Sequence, residues 1–346
     1  MKRALVISGG GSKGAFAVGV VKKLLATWPG LEFDILVGTS TGSLITPFVA
    51  LDELPLVEEL YTTQTTDKIL TTYNLGDRLM SHSIFGSNPL WELLTGYLPE
   101  NKAQQLLDHP AYLAFTAVCL QTGQLEVFAN RDISPAPRHY AHSRLRSPLH
   151  LQKAVMASAS QPVFMPPVMV NKGIPGAGNE MYQYVDGGVR QYAGIEMAID
   201  AGATEIFTIL LSSGKDDPVT TPFKDLFSIL QQTIAIFTDD VGKNDLIIPQ
   251  QHNEALTYID AVQRKMKRQG VSAADIADYF HIRGRESPYE EKIPIRMFTI
   301  RPDNPLGGGP GGLVFDPAEM TGMVAAGEKA AGNFIASLPP GEISWA

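Results

Sequence analysis

A single cysteine, Cys119, occurs in a chain of 346 residues. One thiol excludes an internal disulfide framework and a cysteine-based zinc site, and it points to a reducing, cytoplasmic compartment. Cys119 lies in the apolar run AYLAFTAVCL, where a small buried hydrophobe is the expected role. Long hydrophobic runs are also missing. No uninterrupted apolar stretch reaches the roughly 18 residues that span a bilayer. The apolar run at 4–8 is shorter than the roughly 7–15 residues of a secretory signal core. Peripheral contact with a membrane surface stays open. Positive charge is in deficit: 28 Lys and Arg against 36 Asp and Glu give a formal charge of −8, which argues against non-specific nucleic-acid binding. HExxH, EF-hand and spaced Cys/His patterns are absent, so the sequence calls for no metal and no cofactor.

What is present reads as a large α/β chain. Hydrophobic residues make up 44 %, ample for a buried core. Residues 4–8 form an apolar run that stops at three glycines, and GAFAVGVVKKLLATW follows with helical periodicity. Residues 33–37, a turn at Gly38–Gly42 and an apolar helix repeat the scheme. Two strand–turn–helix units predict a mainly parallel sheet. Further strands are predicted at 112–119, 124–128, up to Asp186, at 204–213 and at 294–300, and helices at 151–160, 194–203 and 318–338. We read 1–346 as one domain. Residues 52–110 interrupt the alternation as a helical cap or insertion. A helical segment covers 222–269, a strand/helix region 313–346, and a flexible loop 304–312.

The strongest local signal is Gly38-Thr39-Ser40-Thr41-Gly42. It fits G-x-S-x-G, and the strand before it and helix after it supply the context that pattern needs. A strand that reverses sharply into a helix presents the serine above the strand ends. Small residues two before and two after keep side chains out of the crowded turn. The Thr41 amide, at the helix start, points towards a developing oxyanion.

Gly9-Gly10-Gly11-Ser12-Lys13-Gly14 follows the first strand. Consecutive amides without bulky side chains make an anion-binding nest. Gly9, Gly11 and Gly14 formally meet G-x-G-x-x-G, but a dinucleotide site wants an acid at the end of the second strand, and that place is taken by the Ser40 turn. A phosphate-binding P-loop is not met, since Ala15 follows Gly14. An oxyanion hole from amides around Gly10, Gly11 and Ser12 fits better. Lys13 either adds positive field there or is simply solvated.

Ser40 needs a proton acceptor. The seven histidines are His82, His109, His139, His142, His150, His252 and His281; His252 or His281 would complete a Ser–Asp–His order, though neither lies in a post-strand loop. Asp186 ends a strand and is followed by Gly187 and Gly188, where α/β sheets carry their chemistry.

Taken in order, Gly9–Gly14, Gly38–Gly42 and Asp186–Gly188 resemble the patatin-like phospholipase family. Ala157-Ser158-Ala159-Ser160-Gln161-Pro162, with Phe164 and Pro166, resembles the stretch before its aspartate motif. The matching elements run from Arg3 to about Ser212. The resemblance implies a three-layer α/β/α sandwich with helical insertions and a Ser–Asp dyad without histidine: Ser40 as nucleophile, Asp186 as its partner, and the glycine loop as oxyanion hole. Two departures stand out. Lys13 fills a position where arginine is common, and Arg190-Gln191-Tyr192 follows the aspartate motif where Asn or Pro is frequent.

The implied activity is serine acyl hydrolysis of lipid esters, of phospholipase A or lysophospholipase type, through an acyl-enzyme. A soluble short-chain esterase or thioesterase and a non-catalytic lipid-binding protein are the alternatives. Trp91, Leu94, Tyr97 and Leu98 are read either as an acyl groove or as core. Arg264, Lys265, Lys267 and Arg268 are read either as a contact for anionic headgroups or as a solvated helix end.

Overall fold

The structure is a computed structural model that describes residues 1–73, 83–171, 181–215, 220, 222–281, 284, 289, 292–339, 341 and 343. Part of the predicted cap, residues 74–82 with His82, lies outside the described residues.

The chain opens on the two predicted units, β1 (Arg3–Ile7) with α1 (Gly14–Thr27) and β2 (Ile35–Thr39) with α2 (Thr41–Ala50). β2 starts later than the predicted 33–37, because the Asp34 carboxylate takes the Arg3 amide at 2.8 Å and caps the strand entrance. The interrupting stretch contains α3 (Leu54–Thr63), α4 (Thr66–Ile69), a minimal antiparallel pair β3 (Thr71–Thr72) and β4 (Phe85–Gly86), then α5 (Asn88–Tyr97) and α6 (Glu100–Leu107).

The second half of the sheet follows: β5 (Tyr112–Cys119), β6 (Leu125–Ala129), β7 (Ala141–Arg144), α7 (Pro148–Ser158), β8 (Val168–Asn171) and β9 (Met181–Asp186). β7 and β8 are not among the predicted strands. β7 is a short edge strand of sequence AHSR, whose polar residues give no strand signal. The chain closes with α8 (Ile195–Asp200), β10 (Glu205–Ile209), the 43-residue α9 (Leu226–Arg268), α10 (Ala273–Phe280), β11 (Arg296–Ile300) and α11 (Pro317–Ser337).

Among the described residues nine strands form one sheet with the path β11-β10-β1-β2-β5-β6-β7, and β9 joins β5 and β8. The five strands from β11 to β5 are parallel. Alternation along them separates two apolar cores. Leu5, Ile7, Leu36 and Phe207 join one cluster with α1, α2, α7 and α11. Ala4, Val6, Ile35, Val37 and Ile206 join the other with α8 and Leu246 of α9. Successive side chains point to opposite faces of a strand, so helices cover both faces. The architecture is the expected α/β/α sandwich with a mainly parallel sheet and helical insertions.

The strand expected within 313–346 is absent among the described residues. The Val314 amide donates to Gly308 O at 2.9 Å, and the Phe315 amide to Thr66 Oγ1 at 2.8 Å. Backbone groups held by loops are not free to extend the sheet.

One strand edge prepares the site. β2 pairs with the first half of β5, ending at Thr39 opposite Thr116. β9 runs antiparallel to the second half, with Asp186 opposite Ala117. β6 pairs the other edge over the same residues, so β2 and β9 meet end to end along one edge of β5. Their last residues therefore arrive side by side.

Candidate active site

Ser40 sits between β2 and α2 with φ 56° and ψ −124°. This left-handed backbone at a non-glycine residue is a local strain that the surroundings must hold. They do so through close packing and a hydroxyl. A Cβ at Gly42 would lie 2.2 Å from Ile7 O, so the first turn of α2 rests directly on β1. The Ser40 amide donates to Ser158 Oγ at 3.0 Å, and Ser43 Oγ is hydrogen-bonded both to Ser158 Oγ at 2.6 Å and to Gly38 O at 2.8 Å. Gly42→Ala is expected to destabilise the fold by about 2 kcal/mol or more, the scale of overpacking in a rigid contact; urea unfolding of the variant measures it.

Asp186, the last residue of β9, is 7 % exposed and Ser40 9 %. Its amide donates to Ser160 O at 2.8 Å, and its Oδ1 accepts the Gly188 amide at 2.7 Å. Burial pushes the Asp186 carboxyl up to about 6, while hydrogen bonds from the Ser40 side chain and the Gly188 amide act in the opposite direction. Gly187 is needed for close approach, since a Cβ there would lie 2.1 Å from Thr116 Oγ1. Thr116 is itself hydrogen-bonded to Thr39 at 2.8 Å.

In the glycine loop, the Gly9 amide donates to Tyr192 O at 3.3 Å and the Lys13 amide to Gly10 O at 3.2 Å. A Cβ on Gly9 would come within 3.7 Å of Ser40 Oγ, so the loop abuts the serine. Gly11 has φ 58°, and a Cβ there would meet Gly312 O at 2.2 Å; one on Gly312 would meet Gly10 O at the same distance. The predicted flexible loop 304–312 is thus corrected: its glycines nest against Gly10 and Gly11, backbone on backbone. Ser12 is fully buried, its Oγ has no hydrogen-bond partner, and a Cβ on Gly308 would lie 2.3 Å from it. The Thr41 hydroxyl pairs with Tyr61 OH, whose phenol is pushed up to about 12 by burial.

These elements open onto a cavity of about 730 Å³, within the size range of small-molecule sites. Gly9, Gly10, Gly11, Lys13, Ser40, Thr41, Asp186 and Gly188 line it; Ser12, Gly14, Gly38, Gly42 and Gly187 lie behind it. Of the described histidines none lines it. His252 stacks on Tyr289 at 4.9 Å between ring centroids, and His281 is exposed at the end of α10. The cap sequence divides: Leu94 and Tyr97 line the cavity, Trp91 packs against the core, and Leu98 is fully buried. The basic cluster occupies the exposed last turns of α9, where Arg264 pairs with Asp260 and Lys265, Lys267 and Arg268 face the negative end of the helix dipole.

Three contributors had no readable signal. Ser158 lay in the small-residue stretch ASAS, with nothing to mark its hydroxyl. Asp245 of α9 accepts the Tyr192 and Ala193 amides on one oxygen at 2.6 and 3.0 Å, and burial pushes its carboxyl up to about 7. It thereby ties α9 to the loop after Asp186, 53 residues earlier than itself at Tyr192. Arg301, just beyond β11, also lines the cavity. Among the described residues no group of three or more His, Cys, Asp or Glu could hold a metal ion, and no helix is long and apolar enough to cross a membrane.

A G-x-S-x-G elbow at the carboxyl edge of a mainly parallel sheet, inside an α/β/α sandwich with an apolar cavity, defines the class as a hydrolase-type sandwich. The sequence profile of the patatin-like phospholipases matches residues 5–199. The chain belongs to the patatin-like phospholipase family, and lipid hydrolysis of the patatin type is its general activity. No curated protein matches the chain. Among solved structures it is similar to the crystal structure of VipD from Legionella pneumophila, at 12 % identity and a TM-score of 0.41, over 97 % of this chain and 67 % of that one.

Proposed function

We propose that this chain is a serine acyl hydrolase of phospholipase A or lysophospholipase type, with Ser40 as nucleophile and Asp186 as its proton acceptor. The observation that carries the reading is the meeting of Ser40 and Asp186 at one cavity that no described histidine lines. The Asp186 carboxylate takes the Ser40 proton as Oγ attacks the ester carbonyl carbon. The oxyanion is held by the amides of Gly10, Gly11 and Thr41. Collapse of the tetrahedral intermediate breaks the ester C–O bond, and the leaving alcohol or lysophospholipid takes the proton from Asp186. Water then attacks the acyl-Ser40 ester and gives a proton to Asp186; collapse breaks the bond from the acyl carbon to Ser40 Oγ, which takes that proton back from Asp186, and the fatty acid leaves.

The Ser12 amide belongs to the same proposed hole, while its side chain is buried against Gly308. Lys13 lines the cavity and supplies positive field near the loop. The cap region supplies an apolar wall through Val57, Leu60, Leu90, Leu93 and Leu94. That wall favours a long acyl chain over a short-chain ester, which would leave much of the volume unfilled. A buried lone thiol fits a reducing cytoplasm.

An organofluorophosphonate tests the reading. Attack by Ser40 Oγ on phosphorus expels fluoride and leaves a stable phosphonyl ester. Peptide mass mapping should place a single label on Ser40; a label on another residue, or none, overturns the assignment.

A further inference from the structure

The cavity extends well beyond Ser40. It follows the carboxyl edge of the sheet to Arg301, the first residue after β11. Arg301 is half-buried. Its Nε donates to Ser212 O at 3.1 Å and its Nη2 to Ser212 Oγ at 3.4 Å. Both acceptors are neutral, and among the described residues no carboxylate pairs with it. A guanidinium carries five N–H donors, so most of its hydrogen-bonding capacity is unused by the described residues. A cation withdrawn from water without a counter-charge is costly, and an arriving anion relieves that cost.

The other charges in the cavity sharpen this contrast. Its lining holds three cations, Lys13, Lys243 and Arg301, and two acids, Asp186 and Asp239. The local sum of 3 − 2 = +1 opposes the −8 of the whole chain. Lys243 is already neutralised by Asp239 at 2.7 Å. Among the described residues Arg301 hydrogen-bonds only the neutral Ser212.

Position matters as much as charge. Ser212 follows β10, so the guanidinium leans from β11 back over β10 towards β1 and β2. Two inter-strand steps at about 4.8 Å each put it on the order of 10 Å from β2, the strand just before Ser40, the scale of a glycerol backbone with its phosphate. Its pose is braced on both sides. A Cβ on Gly214 would lie 2.5 Å from the guanidinium, so only glycine lets it lie flat there. The Tyr192 phenol lies close to Ser212, and its ring packs beside Gly9.

We propose that Arg301 anchors an anion subsite that binds the phosphate of the lipid headgroup, with the scissile ester at Ser40 and the acyl chain against the apolar cap wall. This rests on the hydrolase reading above. It adds that the site prefers phosphate-bearing lipids to neutral glycerides, through a residue outside the region that the family profile matches.

The test uses binding, so that it does not depend on turnover. Full-length protein carrying Ser40→Ala is titrated with monomeric dodecylphosphocholine, with dodecyl maltoside as the neutral control and inorganic phosphate as the competitor. Adding Arg301→Gln should weaken dodecylphosphocholine about tenfold or more, as expected for losing hydrogen bonds to a charged group, and leave dodecyl maltoside within about twofold. Ser212→Ala should weaken dodecylphosphocholine alone by a few-fold, and it decides the matter if Arg301→Gln does not fold. Equal affinity in parent and variants, or parallel loss for both detergents, overturns the proposal. So does tight inorganic phosphate with no advantage of dodecylphosphocholine over the maltoside, which would mark a free-phosphate site. Failure of the Ser40-intact protein to hydrolyse any ester would instead overturn the hydrolase reading and leave these binding results standing.

Discussion

Ser40→Ala is expected to lower ester turnover by about 10⁴-fold or more, the scale seen when a serine nucleophile is removed, while the unfolding midpoint changes little. The reason is geometric. The backbone bend at residue 40 is held by its amide on Ser158 Oγ and by the contact of Gly42 with Ile7 O, not by the Ser40 hydroxyl. Alanine therefore keeps the elbow and removes only the attacking oxygen. Initial rates on a monoacyl phospholipid, with circular dichroism as the folding control, measure both. Turnover retained in the variant would mean that another residue attacks.

Asp186→Asn should remove nearly all turnover and, at neutral pH, stabilise the protein. The folded carboxyl titrates near 6, against 3.8 for an ordinary aspartate, because burial disfavours its charge. Its favourable contribution to stability is complete below pH 3.8 and is lost as pH rises through 6. Above that, the buried charge costs about 3 kcal/mol. Asn carries no such charge. The variant should therefore unfold at higher temperature than the wild type at pH 8, and at the same temperature near pH 4. Activity has the opposite dependence: a carboxylate that accepts the Ser40 proton must be ionised, so kcat/KM of the wild type should fall about tenfold per pH unit below 6. A pH-independent difference in unfolding midpoint, or an acidic limb still present in residual Asp186→Asn activity, would detach Asp186 from both roles.

Ser40 and Asp186 are legible in the sequence because their signals are local. A strand, a glycine-bounded serine and a helix occupy consecutive positions around Ser40. Asp186 and its two glycines end a strand, and the glycine loop adjoins β1. The stretches that escaped reading have weak or distant signals. β7 is short and polar. Ser158 looks like any other small residue of α7. The glycines of 304–312 have the composition of a flexible loop but are required by contact with Gly10 and Gly11.

Arg301 and Asp245 show the limit most clearly. Neither belongs to a motif, and each acts through atoms far away in sequence. Arg301 is bound to Ser212, 89 residues earlier, and Asp245 to the loop after Asp186. Local sequence sets the chemistry on offer, a strained serine, a strand-end carboxylate and a nest of amides, since backbone geometry over a few residues dictates which side chains such turns accept. Tertiary structure decided which of these groups share a cavity. The order of strands along β5 sets Ser40 beside Asp186, the packing of one glycine loop on another seats the amides, and the cap supplies the apolar wall, because contacts between distant segments follow from sheet topology and close packing, which no local pattern encodes.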